Sequence, residues 1–153
     1  MPYTHRQIGT VTLSVMIGVL LLLALALFFS GAPLLQRILI TGLIALVFAP
    51  FAILFSSLTI SVDDHELRWA FGPGWPYWRV NVGDMEDATI VRNPVWYGWG
   101  IRVTPHGMLY NVSGRDAVEV RLRPGSGRLR PFRLGTDEPE QLRAALQAAM
   151  DKG

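Results

Sequence analysis

Cysteine is absent from the 153 residues, which excludes disulfides, thiolate metal sites and cysteine nucleophiles. Acidic charge is absent from the whole first part of the chain: all 12 Asp and Glu residues lie at or after Asp63. Before that point only Arg6 and Arg37 carry a fixed positive charge. A strong field of one sign is missing too. The net charge is +2, so nothing in the overall charge points to nucleic acid, and none is expected as a partner. What is abundant is apolar surface, at 50% of residues, concentrated where the charge is missing. That split describes a membrane segment joined to a water-soluble one, in a chain long enough for roughly one domain.

The run "IGTVTLSVMIGVLLLLALALFF" (8–29) holds no charge. As a helix it is about 33 Å long, enough to cross the hydrocarbon core. "SGAP" (30–33) then breaks it with Gly and Pro, and a second apolar run follows over about 34–56. Arg37, near the start of this run, can lift its guanidinium to the interface while its stem stays in lipid. The spacing predicts a transmembrane hairpin over 1–56. A cleaved signal peptide is the competing reading, with Ser30 and Ala32 as small cleavage-site residues. The first run exceeds the usual apolar length of such peptides, and Pro33 would follow the cut.

Small residues suggest how the spans would meet. Ser14 and Gly18 are four apart on the first, and Thr41, Ala45 and Ala49 form a ladder on the second. Such rows let helix backbones approach closely in lipid. Pro50 is expected to kink the second span. The Arg bias near the span ends places both termini in the cytoplasm.

After Ser57 the pattern alternates. Leu67, Trp69 and Phe71 interleave with Arg68 and Ala70, and Val118, Val120 and Leu122 with Glu119, Arg121 and Arg123. Turn signals at "GPG", "HG", "SGRD" and "PGSG" separate about seven short strands, read as a mainly antiparallel sandwich or open barrel over 57–153. Pro131 would mark an edge or bulge. A helix over about 138–150 carries Leu142, Ala145, Leu146 and Ala149 on one face, with Asp137 as N-cap and Glu140 completing a capping box. This helix is expected to close one end of the β domain.

Two spans, about seven strands and a closing helix, in that order, resemble the bacterial pleckstrin-homology-like (PH-like) membrane proteins. "SVDDHELRWAFGPG" is similar to the opening hairpin of that family, "YGWGIR" (97–102) to its mid-domain motif, "YNVSGRDAVEVRLRPGSG" to the strands that follow, and "LGTDEPEQLRAAL" to its closing strand and helix. The resemblance implies an orthogonal sandwich or open barrel on the cytoplasmic side of a bacterial inner membrane, in a multi-pass protein. It implies no catalytic residue and no cofactor.

The residues themselves show no enzyme constellation either. His5, His65 and His106 fall in a tail and two turns with no paired nucleophile. "DDHE" (63–66) has metal-ligand residue types, but neighbours in one turn do not point to one centre. Two features remain. Arg121, Arg123, Arg128, Arg130 and Arg133 fall on one hairpin. They form a solvated outer face or a patch for anionic lipid. Trp75 and Trp78, with Trp96, Tyr97 and Trp99, form two aromatic clusters beside glycines. Such rings serve as core, as membrane-interface anchors or as ligand walls. The expectation is mixed, with at least one ring per cluster outside the core. The function read from all this is a non-enzymatic membrane protein for protein interaction or self-assembly, as a homo-oligomer or with a membrane-protein partner. The alternative is recognition of an anionic headgroup or another small ligand.

Overall fold

The computed structural model describes residues 2–125 and 131–152. Two apolar helices, α1 (Thr10–Phe29) and α2 (Leu34–Leu54), form the expected hairpin. Both are long and apolar enough to cross a membrane, and neither contains a buried residue. Ser30–Pro33 make the turn: the Ser30 hydroxyl donates to the Leu27 carbonyl at 2.8 Å, and Arg37 Nε to the Ala32 carbonyl at 2.7 Å. Helix α2 continues through Pro50.

Nine strands make two sheets among the described residues. In the first, β1 (Tyr3–Ile8), β2 (Ser57–Val62), β3 (Glu66–Phe71) and β4 (Tyr77–Asn81) lie side by side in that order. The second contains β5 (Met85–Arg92), β6 (Gly100–Thr104), β7 (Gly107–Asn111), β8 (Asp116–Leu122) and β9 (Phe132–Gly135), in the spatial order β5-β8-β9-β7-β6. Every pairing is antiparallel except β7 with β9.

The first strand corrects the boundary drawn from sequence. Residues 3–8 are not a tail. They pair along their full length with β2, from Tyr3 opposite Val62 to Ile8 opposite Ser57. The helical hairpin is therefore inserted between the first two strands of the β domain. Eight strands, not seven, follow the hairpin.

Both sheets supply one core. Leu58, Ile60, Trp69 and Phe71 from the first meet Val118, Val120, Phe132 and Leu134 from the second. The C-terminal helix α3 (Pro139–Met150) adds Leu142, Leu146 and Ala149 and packs on β5 and β8. Its N-terminus differs from expectation. Glu138 is the N-cap residue and no side chain caps the helix. The Asp137 carboxylate instead reaches back to His5 Nε2 on β1 at 2.6 Å, with Glu138 at 3.3 Å from His5 Nδ1. Pro131 is corrected as well. It precedes β9, which lies inside the sheet between β8 and β7, so it marks the entry to a central strand rather than an edge.

The hairpin is fastened to the domain at both ends. Gly9 N donates to the Ser56 carbonyl at 2.8 Å, across the base of the hairpin. In the first turn of α1, Thr12 Oγ1 donates to the Val112 carbonyl at 2.8 Å and Thr10 Oγ1 lies 3.0 Å from Ser113 Oγ. Gln7 Nε2 donates to the Ser113 carbonyl at 3.1 Å. At the other end Phe55 packs edge-on to Phe71, ring centres 5.5 Å apart. Gly72, at φ +49°, passes so close to the Ile53 carbonyl that a Cβ would collide with it.

Candidate membrane-facing site

The two aromatic clusters lie where the helices leave the β domain, and each splits into inner and outer rings. Trp78, on β4, is an inner ring. It stacks on Trp69 at 6.2 Å with an interplanar angle of 13° and lies 4.7 Å from Tyr110. Trp75 is 70% exposed. With Pro50, Phe51 and Leu54 it lines an apolar groove of about 420 Å³ at the end of α2.

The second cluster begins in a 3-10 turn, Val95–Tyr97, from which Trp96 projects at 83% exposure. Tyr97 and Trp99 are half-buried. The Trp99 indole donates to the Gly114 carbonyl at 3.0 Å. That bond ties the segment to the β7–β8 turn, which also receives the bonds from Gln7, Thr10 and Thr12. Gly98 (φ +67°) and Gly100 (φ +103°) take left-handed conformations that an L side chain rarely adopts, as a chain reversal among large rings requires. The result is a second groove, of about 490 Å³, between this segment and the first two turns of α1. Arg102 lies at its rim.

The arginine hairpin is not one surface. Arg121 and Arg123 are exposed; Arg123 Nε donates to the Met85 carbonyl at 3.0 Å. Arg133 is only 7% exposed. It sits opposite Glu119 in the β8–β9 register and bonds it at 2.8 Å, while its other arm donates to Asn93 Oδ1 at 2.9 Å. Alternation along β8 suggested that Glu119 faces water, but Glu119 and Arg133 satisfy each other beneath the surface. Arg128 and Arg130 lie outside the described residues.

The small residues of the hairpin fall beside its seam. On α2 the half-buried row is Arg37, Ile40, Ile44, Phe48 and Ala52. Thr41, Ala45 and Ala49 are exposed next to that row, as is Ser14 on α1. Gly18 is half-buried, yet a Cβ there would meet nothing within 4 Å, so the backbones do not close on it.

The titratable turns serve structure. Asp63 accepts from the backbone N–H groups of His65 at 2.9 Å and Glu66 at 2.7 Å, and those bonds hold its carboxyl below the usual range. Asp64 is lowered by Lys152 Nζ at 2.8 Å. Burial first, then the Glu138 carboxylate, pushes the Tyr3 phenol up to about 12. Among the described residues no three His, Asp or Glu side chains come together as a metal site would need.

Sequence reasoning placed the aromatic clusters but missed the Arg102 groove and the contribution of β1. The alternation at Ile101–Arg102 gave the strand, but not the helix it packs beside. Comparison with known protein families matches none of them to this chain, and comparison with curated proteins finds none similar to it.

Proposed function

We propose that the chain is a two-span membrane protein that holds its β domain close against the cytoplasmic bilayer surface and acts by protein interaction or self-assembly, without catalysis. The observation that carries this reading is the placement of Trp75 and Trp96. Both are large, exposed and amphipathic; Trp75 lines the groove at the end of α2, and Trp96 lies three residues before Trp99, which lines the groove beside α1. Trp at that level suits a ring that is apolar on its face and polar at its edge. The double fastening argues against a removable leader: cutting after the first helix would strip β1 from β2. Val103, on β6, is 75% exposed, and among the described residues β6 lies at the outer edge of its sheet. That edge offers backbone groups to a second copy or a partner strand.

The PH-like character of the domain belongs to the same proposal. Two sheets closed by a C-terminal helix support it, and the parallel β7–β9 pair is a departure from it. The alternative, lipid recognition by the arginine hairpin, has less support. Arg133 is buried, and Arg121 lies five residues along β8 from Asp116, about 17 Å beyond the Gly114 turn that holds the helix base. Over that distance an exposed charge is screened from the same bilayer.

Reporter fusions at both termini and at Pro33, with brominated lipids quenching single-Trp variants, test this reading. Trp75 and Trp96 are expected to be quenched and Trp69 not, with both termini cytoplasmic. A periplasmic C-terminus, or quenching of neither exposed ring, overturns it.

A further inference from the structure

We propose that the groove between α1 and the segment around Trp99 binds one anionic phospholipid, its phosphate on Arg102 and an acyl chain along Val15 and Met16. The inference rests on the membrane-spanning reading and names a ligand for a site outside the arginine hairpin.

Three features converge. The first is position. The groove is lined by α1 from Thr12 to Met16, about 6 Å of helix at the very start of an apolar 20-residue segment. If α1 spans the bilayer, this is the level at which headgroup gives way to hydrocarbon.

The second is the charge. Arg102 is exposed, and among the described residues no carboxylate lies within ion-pair distance of it. Its side chain is nevertheless held. Nε donates to the Trp99 carbonyl at 3.2 Å. The guanidinium lies over Gly98, Nη2 only 3.6 Å from where a Cβ would stand. One edge of the guanidinium is thus committed to the backbone, and the terminal nitrogens remain to meet an anion. A planar guanidinium with two parallel N–H groups matches a phosphate better than a point charge does.

The third is the two-part wall. Val15, Met16, Phe55 and Ile101 are apolar, as is the ring of Trp99, whose N–H is taken by the Gly114 carbonyl, whereas Arg102 brings charge to the rim. A free phosphate would use only the rim, and a zwitterionic lipid such as phosphatidylcholine would bring its phosphate with a cationic choline that offsets the attraction to Arg102. An anionic diacyl lipid uses both. The volume of about 490 Å³ lies in the range of small-molecule sites.

The test is native mass spectrometry of the full chain released from nanodiscs of mixed phosphatidylglycerol and phosphatidylcholine. The wild-type chain is expected to retain one phosphatidylglycerol. Arg102→Gln should lower retention about tenfold, the effect of losing one charge-assisted contact. Arg102→Lys should retain part of it, and Arg143→Gln, on the outer face of α3, all of it. Met16→Trp should expel the lipid with Arg102 still present. Intrinsic fluorescence of the core Trp69 confirms that each variant is folded. Equal retention by wild type and Arg102→Gln, or equal retention of the two lipids, overturns the proposal. Displacement of the bound lipid by inorganic phosphate, with Met16→Trp without effect, also overturns it and marks a free-anion site. Alkaline extraction of membranes separates the two levels of failure. A chain that washes out fails the membrane reading itself, whereas one that resists extraction yet keeps no phosphatidylglycerol fails this inference alone.

Discussion

Helices α1 and α3 are both rich in Leu and Ala, yet they use those residues in opposite ways. On α3 they form one stripe: Leu142 and Leu146 are fully buried, while Glu140, Arg143 and Gln147 face out. On α1 they go all the way round, and Leu21, Leu22 and Leu25 are more than half exposed. A stripe implies a protein core on one side and water on the other. Apolar residues on every side imply that the surroundings are themselves apolar. Charge divides the same way. Arg37 on the hairpin is half-buried and lies near the end of its helix, bonded to the turn, whereas Arg133 is sealed inside the β domain against Glu119. The hairpin and the domain therefore follow different solvation rules, and only the hairpin base joins the common core, through Leu54 and Phe55.

The largest expected effect probes the charges. Arg133→Met leaves buried Glu119 with only a 3.6 Å contact to the exposed Arg121 and should destabilise the β domain by about 3 kcal/mol, the low end for a broken buried pair. Arg37→Met should change the stability of that domain by less than about 0.5 kcal/mol. Denaturant unfolding in nanodiscs, followed by Trp fluorescence, reads both. Replacing Glu119 by Leu in the Arg133→Met chain should recover much of the loss, because two apolar groups need no counter-charge. If Arg133→Met alone is neutral, Glu119 reaches water and the contrast between the two arginines fails.

The next effect probes the helices. Leu142→Ala should cost about 2–5 kcal/mol by the same measurement, since the side chain is fully buried in the core. Leu22→Ala, at a site 68% exposed in the protein, should leave the domain unchanged within about 0.5 kcal/mol. A comparable loss at Leu22 would mean that the hairpin packs against the domain or another protein surface rather than lipid.

These contrasts also show what the sequence carried and what it did not. Continuous apolarity marked both helices, because no competing pattern interrupts it. Alternation marked β3 and β8, whose inward residues are large and apolar. It could not mark β1: in "YTHRQI" the buried residue is Gln7, while Ile8 is 60% exposed. That strand is held by its partner β2, by bonds to the Ser113 turn and by Tyr3 against the core, not by a row of apolar residues. Glu119 and Arg133 broke the alternation rule because each supplies the other's counter-charge across a strand pair. Only the register brings them together, and register is a tertiary fact. The Asp137 cap failed for a similar reason: local chemistry favoured it, and His5, far away in sequence, took the carboxylate. The Arg102 groove needed α1 and β6 side by side, which no local pattern encodes.

The smallest effect concerns acid. Since every carboxylate lies at or after Asp63, loss of stability at low pH must enter through the β domain and not through the hairpin. Asp63 is a defined entry point. Its carboxylate accepts two backbone N–H groups in the β2–β3 turn, and those bonds hold its pKa below the ordinary value of 3.8. A carboxyl whose folded pKa is depressed contributes stability that is fully present above its unfolded value. That contribution is lost as pH falls through the lower folded value. Wild-type thermal midpoints should therefore decline below pH 3.8 more steeply than those of Asp63→Asn, whose amide oxygen keeps the turn but does not titrate. Asp63→Ala should cost about 0.5 kcal/mol near neutrality, the low end for an exposed hydrogen bond. Asp64 titrates in the same direction through Lys152, but that contact is between two exposed side chains and salt weakens it. At high ionic strength the remaining difference between wild type and Asp63→Asn belongs to the Asp63 backbone bonds. If the two acid profiles coincide there, the turn holds its shape without the carboxylate, and the acid sensitivity of the domain lies elsewhere.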